Sequence, residues 1–299
     1  MANQPEFGKI VVFGTGLIGG SFALALKEAG AVEEVVGFGR TPATLRTAQE
    51  LQVIDRAGIN PAHEISDADI VLVATPVAQM PDIFARIVPY LGPGTIVTDG
   101  GSTKGDVVAA ARAAFGDRIG QFVPAHPIAG AENSGPAAAH GNLYRGKKVV
   151  VTPLPENSDE VLDRVKRAWA LCGADIYELS PEMHDRVFAA VSHLPHLLSF
   201  ALVHDLAVRE DADLFFTFAA SGFRDFTRIA ASHPEMWRDI SLANREALLG
   251  ELDSYRSQLD DLHAALAAGD GARLEEIFGI ARKARRAWDG SASPADDPS

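Results

Sequence analysis

Between an apolar strand and an Ala/Leu-rich helix, the stretch "KIVVFGTGLIGGSFALAL" sets Gly14, Gly16 and Gly19 in GxGxxG spacing near the start of the chain. Each glycine has a separate job in that context. Gly14 permits the tight turn, Gly16 lets backbone approach a pyrophosphate, and Gly19 lets the helix pack closely on the strand. Leu17 and Ile18 then open the helix, whose free N–H groups and positive dipole end suit phosphate oxygens. A strand, a glycine turn and a helix in this order predict a dinucleotide-binding βαβ unit.

The rest of the first 180 residues supports that expectation. Short β-branched runs ("EVVGFG", "DIVLVATP", "GTIVTDGG", "QFVPAHP", "KKVVVTP", "ADIYELS") alternate with Ala-rich helical patterns, which implies βαβ units and a mainly parallel, doubly wound sheet of the Rossmann type. From Pro181 the strand signal stops, and Met183 to Val208, Pro234 to Leu266 and Gly271 to Trp288 read as helices by their three-and-four spacing. The expected architecture is α/β, with a dinucleotide-binding domain over 1–180 and an all-helical domain over 181–299. The last ten residues, "GSASPADDPS", have the composition of a flexible tail.

Composition narrows the partners. The net charge of -13 is spread along the chain, which argues against nucleic acid, because phosphate backbones need a basic face. A single cysteine, Cys172, excludes an internal disulfide and fits a reducing compartment. No signal peptide is recognisable and no apolar run reads as long enough to span a bilayer, so the chain reads as cytoplasmic and free of membrane.

The second strand ends in "VVGFGRTPATL", where Gly39 stands in place of a carboxylate that would bind an NAD ribose. Arg40 and Thr41 follow, a pair suited to a 2′-phosphate, so NADP is expected in preference to NAD, with NAD still possible. Ligands of open α/β sheets lie beyond the carboxyl ends of the strands. Three segments fall there: "VATP" with Thr75, "TDGGSTKG" with Ser102, and "VPAHP" with His126. Pro127 biases His126 toward extended backbone, so its imidazole projects from the strand end, where it suits proton abstraction from a hydroxyl. Ser102 suits the same hydroxyl or the ring itself.

In the helical part, His193 and His196 are three apart with Pro195 between them, facing one way. They lack a third ligand at metal spacing, so no metal is expected. Arg224 and Arg228, four apart among apolar residues, suggest one semi-buried guanidinium that pairs with a protein carboxylate or with a ligand's. These features leave three readings open: a dehydrogenase using His126, another Rossmann reductase such as a 3-hydroxy-acid dehydrogenase, and a non-enzymatic NADP-binding sensor.

Six stretches taken in order, "GTGLIGGS", "DGGSTKG", "HPIAGAENSG", "LYRGKKVVVTP", "SPEMHDRVFAAVSHLPH" and "GFRDFTRIAASHPEMWRD", resemble the prephenate/arogenate dehydrogenases of tyrosine biosynthesis. The resemblance implies a homodimer formed through the helical domain. It also implies oxidative decarboxylation of prephenate or arogenate, with His126 taking the C4 hydroxyl proton, Ser102 beside it and Arg228 binding the ring carboxylate. Glu132, His193 and His196 match positions of the family's substrate pocket, and Trp237 matches a residue directed to the partner's site. Ala131 replaces a hydroxyl residue found in many relatives, which leaves the choice between the two substrates open.

Overall fold

A computed structural model describes residues 5–130 and 133–288 of the chain. Glu132 and the C-terminal tail therefore lie outside the described residues. The elements begin with β1 (Phe7–Phe13), α1 (Leu17–Glu28), β2 (Val32–Phe38), α2 (Pro42–Glu50), β3 (Arg56–Ala57), α3 (Pro61–Glu64), β4 (Ile70–Val73) and α4 (Met80–Ile87). They continue through β5 (Ile96–Asp99), α5 (Gly105–Phe115), β6 (Phe122–Val123), β7 (Ala125–Pro127), β8 (Lys148–Val151), α6 (Asp159–Leu171) and β9 (Asp175–Glu178).

Strands β1 to β6 form one sheet in the order β3-β2-β1-β4-β5-β6, every pair parallel. Successive side chains of a strand point to opposite faces, so a sheet covered on both sides needs strands apolar at every position. β1 and β4 meet that condition. Ile10, Val12, Ile70 and Leu72 pack with Phe22 and Leu26 of α1 and with Val165 and Trp169 of α6. Their alternates Val11, Phe13, Val71 and Val73 pack on the other face with Ile83, Phe84 and Ile87 of α4 and with Val107 and Ala111 of α5. Between β1 and β4 the strand order reverses, and the crevice at their carboxyl ends holds the turn from Gly14 to Gly19.

The later strands differ from the expected single sheet. Only Phe122 and Val123 of "QFVPAHP" join the parallel ladder. Pro124 has no N–H to continue it, and the chain turns into a second sheet, β7-β8-β9. There His126 pairs opposite Val150 in an antiparallel ladder, while β8 and β9 run parallel. His126 thus sits on a short strand that leaves the main sheet.

From Pro181 onward no described residue is in a strand, as the sequence suggests. The helices are α7 (Pro181–Phe188), α8 (Leu194–Ala207), α9 (Ala212–Thr217), α10 (Ser221–Thr227), α11 (Pro234–Ala243), α12 (Arg245–Ala268) and α13 (Gly271–Trp288). α7 and α8 are joined by one π-helical turn, Ala189–His193. Pro195 cannot donate to the carbonyl of Val191, and the wider turn absorbs the missing bond. By contact the chain divides into two compact units, one ending at Leu248 and one beginning at Leu249.

One sequence expectation needs correction. The continuous helical run Pro181–Ala207 spans 27 residues and contains an 18-residue window of mean hydropathy 1.4, long and apolar enough by length and composition to cross a bilayer. Phe188, Ala189 and Leu194 are buried, whereas Val191 and Leu202 remain exposed.

Candidate active site

The glycine turn separates its three glycines by what a side chain would meet. Gly14 has φ +95°, and a Cβ there would lie 2.5 Å from the carbonyl oxygen of Ala74. At Gly19 a Cβ would lie 2.2 Å from the carbonyl oxygen of Gly14 and 2.7 Å from Val12. At Gly16 it would meet nothing within 4 Å. Gly14 and Gly19 are therefore needed by the fold, whereas Gly16 leaves open space in front of a helix N-terminus. Gly16 is the N-cap of α1 and provides no side-chain cap, which leaves the first-turn N–H groups available. Beside the turn, the hydroxyls of Thr15 and Thr75 are buried without a hydrogen-bond partner among the described residues. Open space, free N–H groups and orphaned hydroxyls fit a dinucleotide.

At the end of β2, Gly39, Arg40 and Thr41 are all exposed. Thr41 caps α2, its hydroxyl accepting the N–H of Thr44 at 3.2 Å and pairing with the Thr44 hydroxyl at 2.8 Å. The glycine turn meets the end of β5 closely: a Cβ on Gly100 would be 3.1 Å from Ile18 and 3.8 Å from Pro127. That contact brings the turn beside the strand carrying His126.

His126 is half-buried, with its ring edge-on to Phe188 at 4.9 Å between centroids. Its Nδ1 lies 2.8 Å from Nε2 of His184, whose own Nδ1 lies 2.8 Å from Oδ1 of Asp185. Asp185 also accepts the backbone N–H groups of Lys104 (2.8 Å) and Gly105 (2.7 Å) at the start of α5. Its carbonyl accepts from Asn244, which in turn meets Nδ1 of His193 at 3.1 Å. Burial, with His184, Lys104 and His193 nearby, pushes the His126 pKa well below its ordinary value. His184 is lowered by burial against the pull of Asp185. For Asp185, burial is outweighed by His184 and the two backbone donors, and its pKa falls. At neutral pH the pair is two neutral imidazoles against one carboxylate.

Beneath them lies a fully buried ion pair. Lys104 donates to Asp99 at the end of β5, and Asp99 also accepts the N–H groups of Gly101 at 2.8 Å and Ala125 at 3.0 Å. Burial raises the Asp99 pKa, opposed by the Lys104 ammonium and those two donors. This carboxylate ties the β5–α5 corner to the residue before His126.

Farther along, His196 stacks on Trp237 with centroids 3.5 Å apart and planes at 20°. Its Nδ1 bonds to the carbonyl of Ser192 at 2.9 Å. His193 stands edge-on to Trp237 at 6.1 Å. Burial, with a lesser contribution from the positive charge of Arg228, lowers the His196 pKa. His193, His196 and Trp237 thus pack together, and Asn244 and Asp185 link His193 to His184 and through it to His126. Arg224 and Arg228 are both exposed, so the expected semi-buried guanidinium does not occur in the chain by itself.

Ser102 lies half-buried in the loop between β5 and α5, and the partner of the His126 ring is His184 instead. His184, Asp185, Asp99 and Asn244 were not singled out by sequence reasoning, and Lys104 only as one of the residues following a strand. The adjacent His184–Asp185 pair in "SPEMHDRV" was the available signal. Its significance depends on a contact across 58 residues.

A model described as the prephenate dehydrogenase nucleotide-binding domain matches residues 22–178, and one described as the prephenate dehydrogenase dimerization domain matches residues 180–280. A cyclohexadienyl dehydrogenase of Zymomonas mobilis is 34% identical over 94% of this chain and 96% of its own. The crystal structure of prephenate dehydrogenase from A. aeolicus, in complex with hydroxyphenyl propionate and NAD+, is 35% identical with a TM-score of 0.86. The match covers 93% of this chain and 98% of that one. The Synechocystis arogenate dehydrogenase structure is 31% identical with a TM-score of 0.80, over 94% of this chain and 99% of that one.

Proposed function

The chain belongs to the prephenate dehydrogenase family, and from that premise we propose that it oxidatively decarboxylates prephenate, arogenate or both. The products are 4-hydroxyphenylpyruvate from the first and tyrosine from the second. The observation that carries the reading is the His126 ring: one nitrogen is held by His184, and the other makes no hydrogen bond among the described residues, beside the glycine turn.

A nicotinamide dinucleotide held by its pyrophosphate at the glycine turn would supply the hydride acceptor. Held neutral by its buried surroundings, His126 takes the C4 hydroxyl proton at Nε2 as hydride leaves the same carbon. The carboxylate-bearing ring carbon then loses CO2 and the ring becomes aromatic. Because that last step is strongly downhill, the protein chiefly aligns the ring and accepts one proton. Arg228 takes the ring carboxylate, a role suited to an exposed guanidinium in an acidic protein. His193, His196 and Trp237, whose rings pack together, are assigned to the substrate pocket, and Ser102 is assigned a hydroxyl beside the reacting one. Glu132, six residues after His126 in the sequence and outside the described residues, is assigned to the substrate side chain.

NADP is the proposed cofactor in preference to NAD. Gly39 offers no carboxylate to repel a 2′-phosphate, and exposed Arg40 stands next to the α2 N-terminus with the Thr41 and Thr44 hydroxyls. The proposed assembly is a cytoplasmic homodimer, supported by the dimerization-domain match and the exposed apolar side chains Leu214, Phe215 and Phe216 of α9. The test is absorbance at the reduced-nicotinamide band with prephenate and arogenate each crossed against NADP and NAD. Turnover of at least one substrate, faster with NADP, is expected; cofactor binding without turnover of either would overturn the enzyme reading.

A further inference from the structure

A histidine that removes a proton from substrate must present a lone pair on the nitrogen facing it. Nothing on the short strand β7 sets which nitrogen that is. The setting comes from α7. Asp185 is an acceptor only, so the hydrogen between it and His184 belongs to His184 Nδ1. In a neutral imidazole the other nitrogen is then an acceptor, so His184 Nε2 takes its hydrogen from His126 Nδ1. His126 Nε2 is left with the lone pair.

We propose that His184 and Asp185 are positioning residues that fix the tautomer and orientation of His126, forming a carboxylate–imidazole–imidazole chain that ends at its Nε2. The proposal rests on the reading of His126 as the proton acceptor. The chain is rigid at its far end. Asp185 is tied to the α5 N-terminus by two backbone donors, and His184 is fully buried against Phe188 at 4.5 Å between ring centroids. Phe188 also packs on His126, so both rings share one wall. The other ionisable groups facing the pair are Lys104 and Asp99 from the β5–α5 corner and His193 from the π-turn. When His126 gains a proton at Nε2, its positive charge is shared toward Asp185 through His184, which favours transfer without moving the ring.

The test compares His184→Gln with His184→Leu in the full-length enzyme. Glutamine keeps an oxygen acceptor for His126 Nδ1–H, whereas leucine keeps bulk and removes the acceptor. The expected result is kcat lowered roughly 10²-fold or more by leucine and less than about tenfold by glutamine, with KM and cofactor Kd within about threefold of wild type. Equal kcat for the two variants would overturn the proposal. Histidine-selective 15N NMR of the wild-type protein reads the same claim without a substitution: Nδ1–H with bare Nε2 on both rings is expected, and Nε2–H on His126 overturns it. His126→Asn, run in parallel, separates the layers. A slow His126→Asn with unaffected His184 variants removes the relay alone, and a fast His126→Asn removes the proton acceptor as well.

Discussion

Replacing Gly16 and Gly19 one at a time by alanine separates cofactor binding from folding within a single turn. At Gly16 the added methyl meets nothing within 4 Å, and the backbone (φ −80°, ψ −157°) is open to any residue. Losing glycine at an N-cap costs about 1 kcal/mol, and the stiffer unfolded chain returns about 0.4–1 kcal/mol. The net change is under about 1 kcal/mol, a Tm shift of roughly 2 °C for a chain of this size. The methyl does, however, occupy the space through which a pyrophosphate reaches the α1 N–H groups, so cofactor Kd should rise about tenfold or more, equivalent to about 1.4 kcal/mol. At Gly19 the methyl falls 2.2 Å from a backbone oxygen and 2.7 Å from Val12, neither of which can step aside without moving α1 off the sheet. Overpacking of that kind costs about 1–3 kcal/mol, and the cofactor site shifts with the helix. Urea unfolding without ligand, paired with fluorescence titration of reduced cofactor, measures both. A Gly16→Ala protein with wild-type cofactor affinity would refute the reasoning, as would a Gly19→Ala protein with an unchanged unfolding midpoint.

Arg40→Ala should weaken NADP about tenfold and leave NAD unchanged; equal loss for both would remove Arg40 from a 2′-phosphate site. Arg228→Ala should raise substrate KM about tenfold or more with cofactor Kd unaltered, and Arg228→Lys should restore only part, because a bidentate fork is replaced by a point charge. His193 tests the electrostatics of the fold. Burial holds its pKa down to about 4 from an ordinary 6.5, so the unfolded chain takes up the proton first. Its contribution to stability is complete above about pH 6.5 and is lost as pH falls toward 4, up to on the order of 3 kcal/mol. In His193→Gln the stability-versus-pH curve should flatten by one proton across that window, and identical curves would contradict the assignment.

What the sequence disclosed was local. The glycine spacing predicts a turn, and the doubled apolar runs at Ile10 to Phe13 and Ile70 to Val73 predict strands covered on both faces. Pro127 keeps His126 extended, and its place in β7 agrees. What stayed hidden depends on packing. Pro124 divides one apparent strand between two sheets, and nothing local says that the second half will pair antiparallel with β8. Similarly, nothing local in "TDGGSTKG" says that Lys104 is fully buried against Asp99, the carboxylate that the fold supplies five residues earlier at the end of β5. The exposed Arg228 reversed the expectation of partial burial: three-and-four spacing finds an apolar helix face but does not say whether another helix of the same chain covers it.

The rate at which His126→Asn transfers hydride tests most directly whether this imidazole accepts the proton. Stopped-flow single turnover, with enzyme saturated in substrate and NADP, reads that step apart from binding and product release. A rate lowered about 10²-fold or more, with substrate and cofactor Kd within about twofold of wild type, is the predicted result. A variant that reduces the nicotinamide at the wild-type rate would show that the proton leaves by another route.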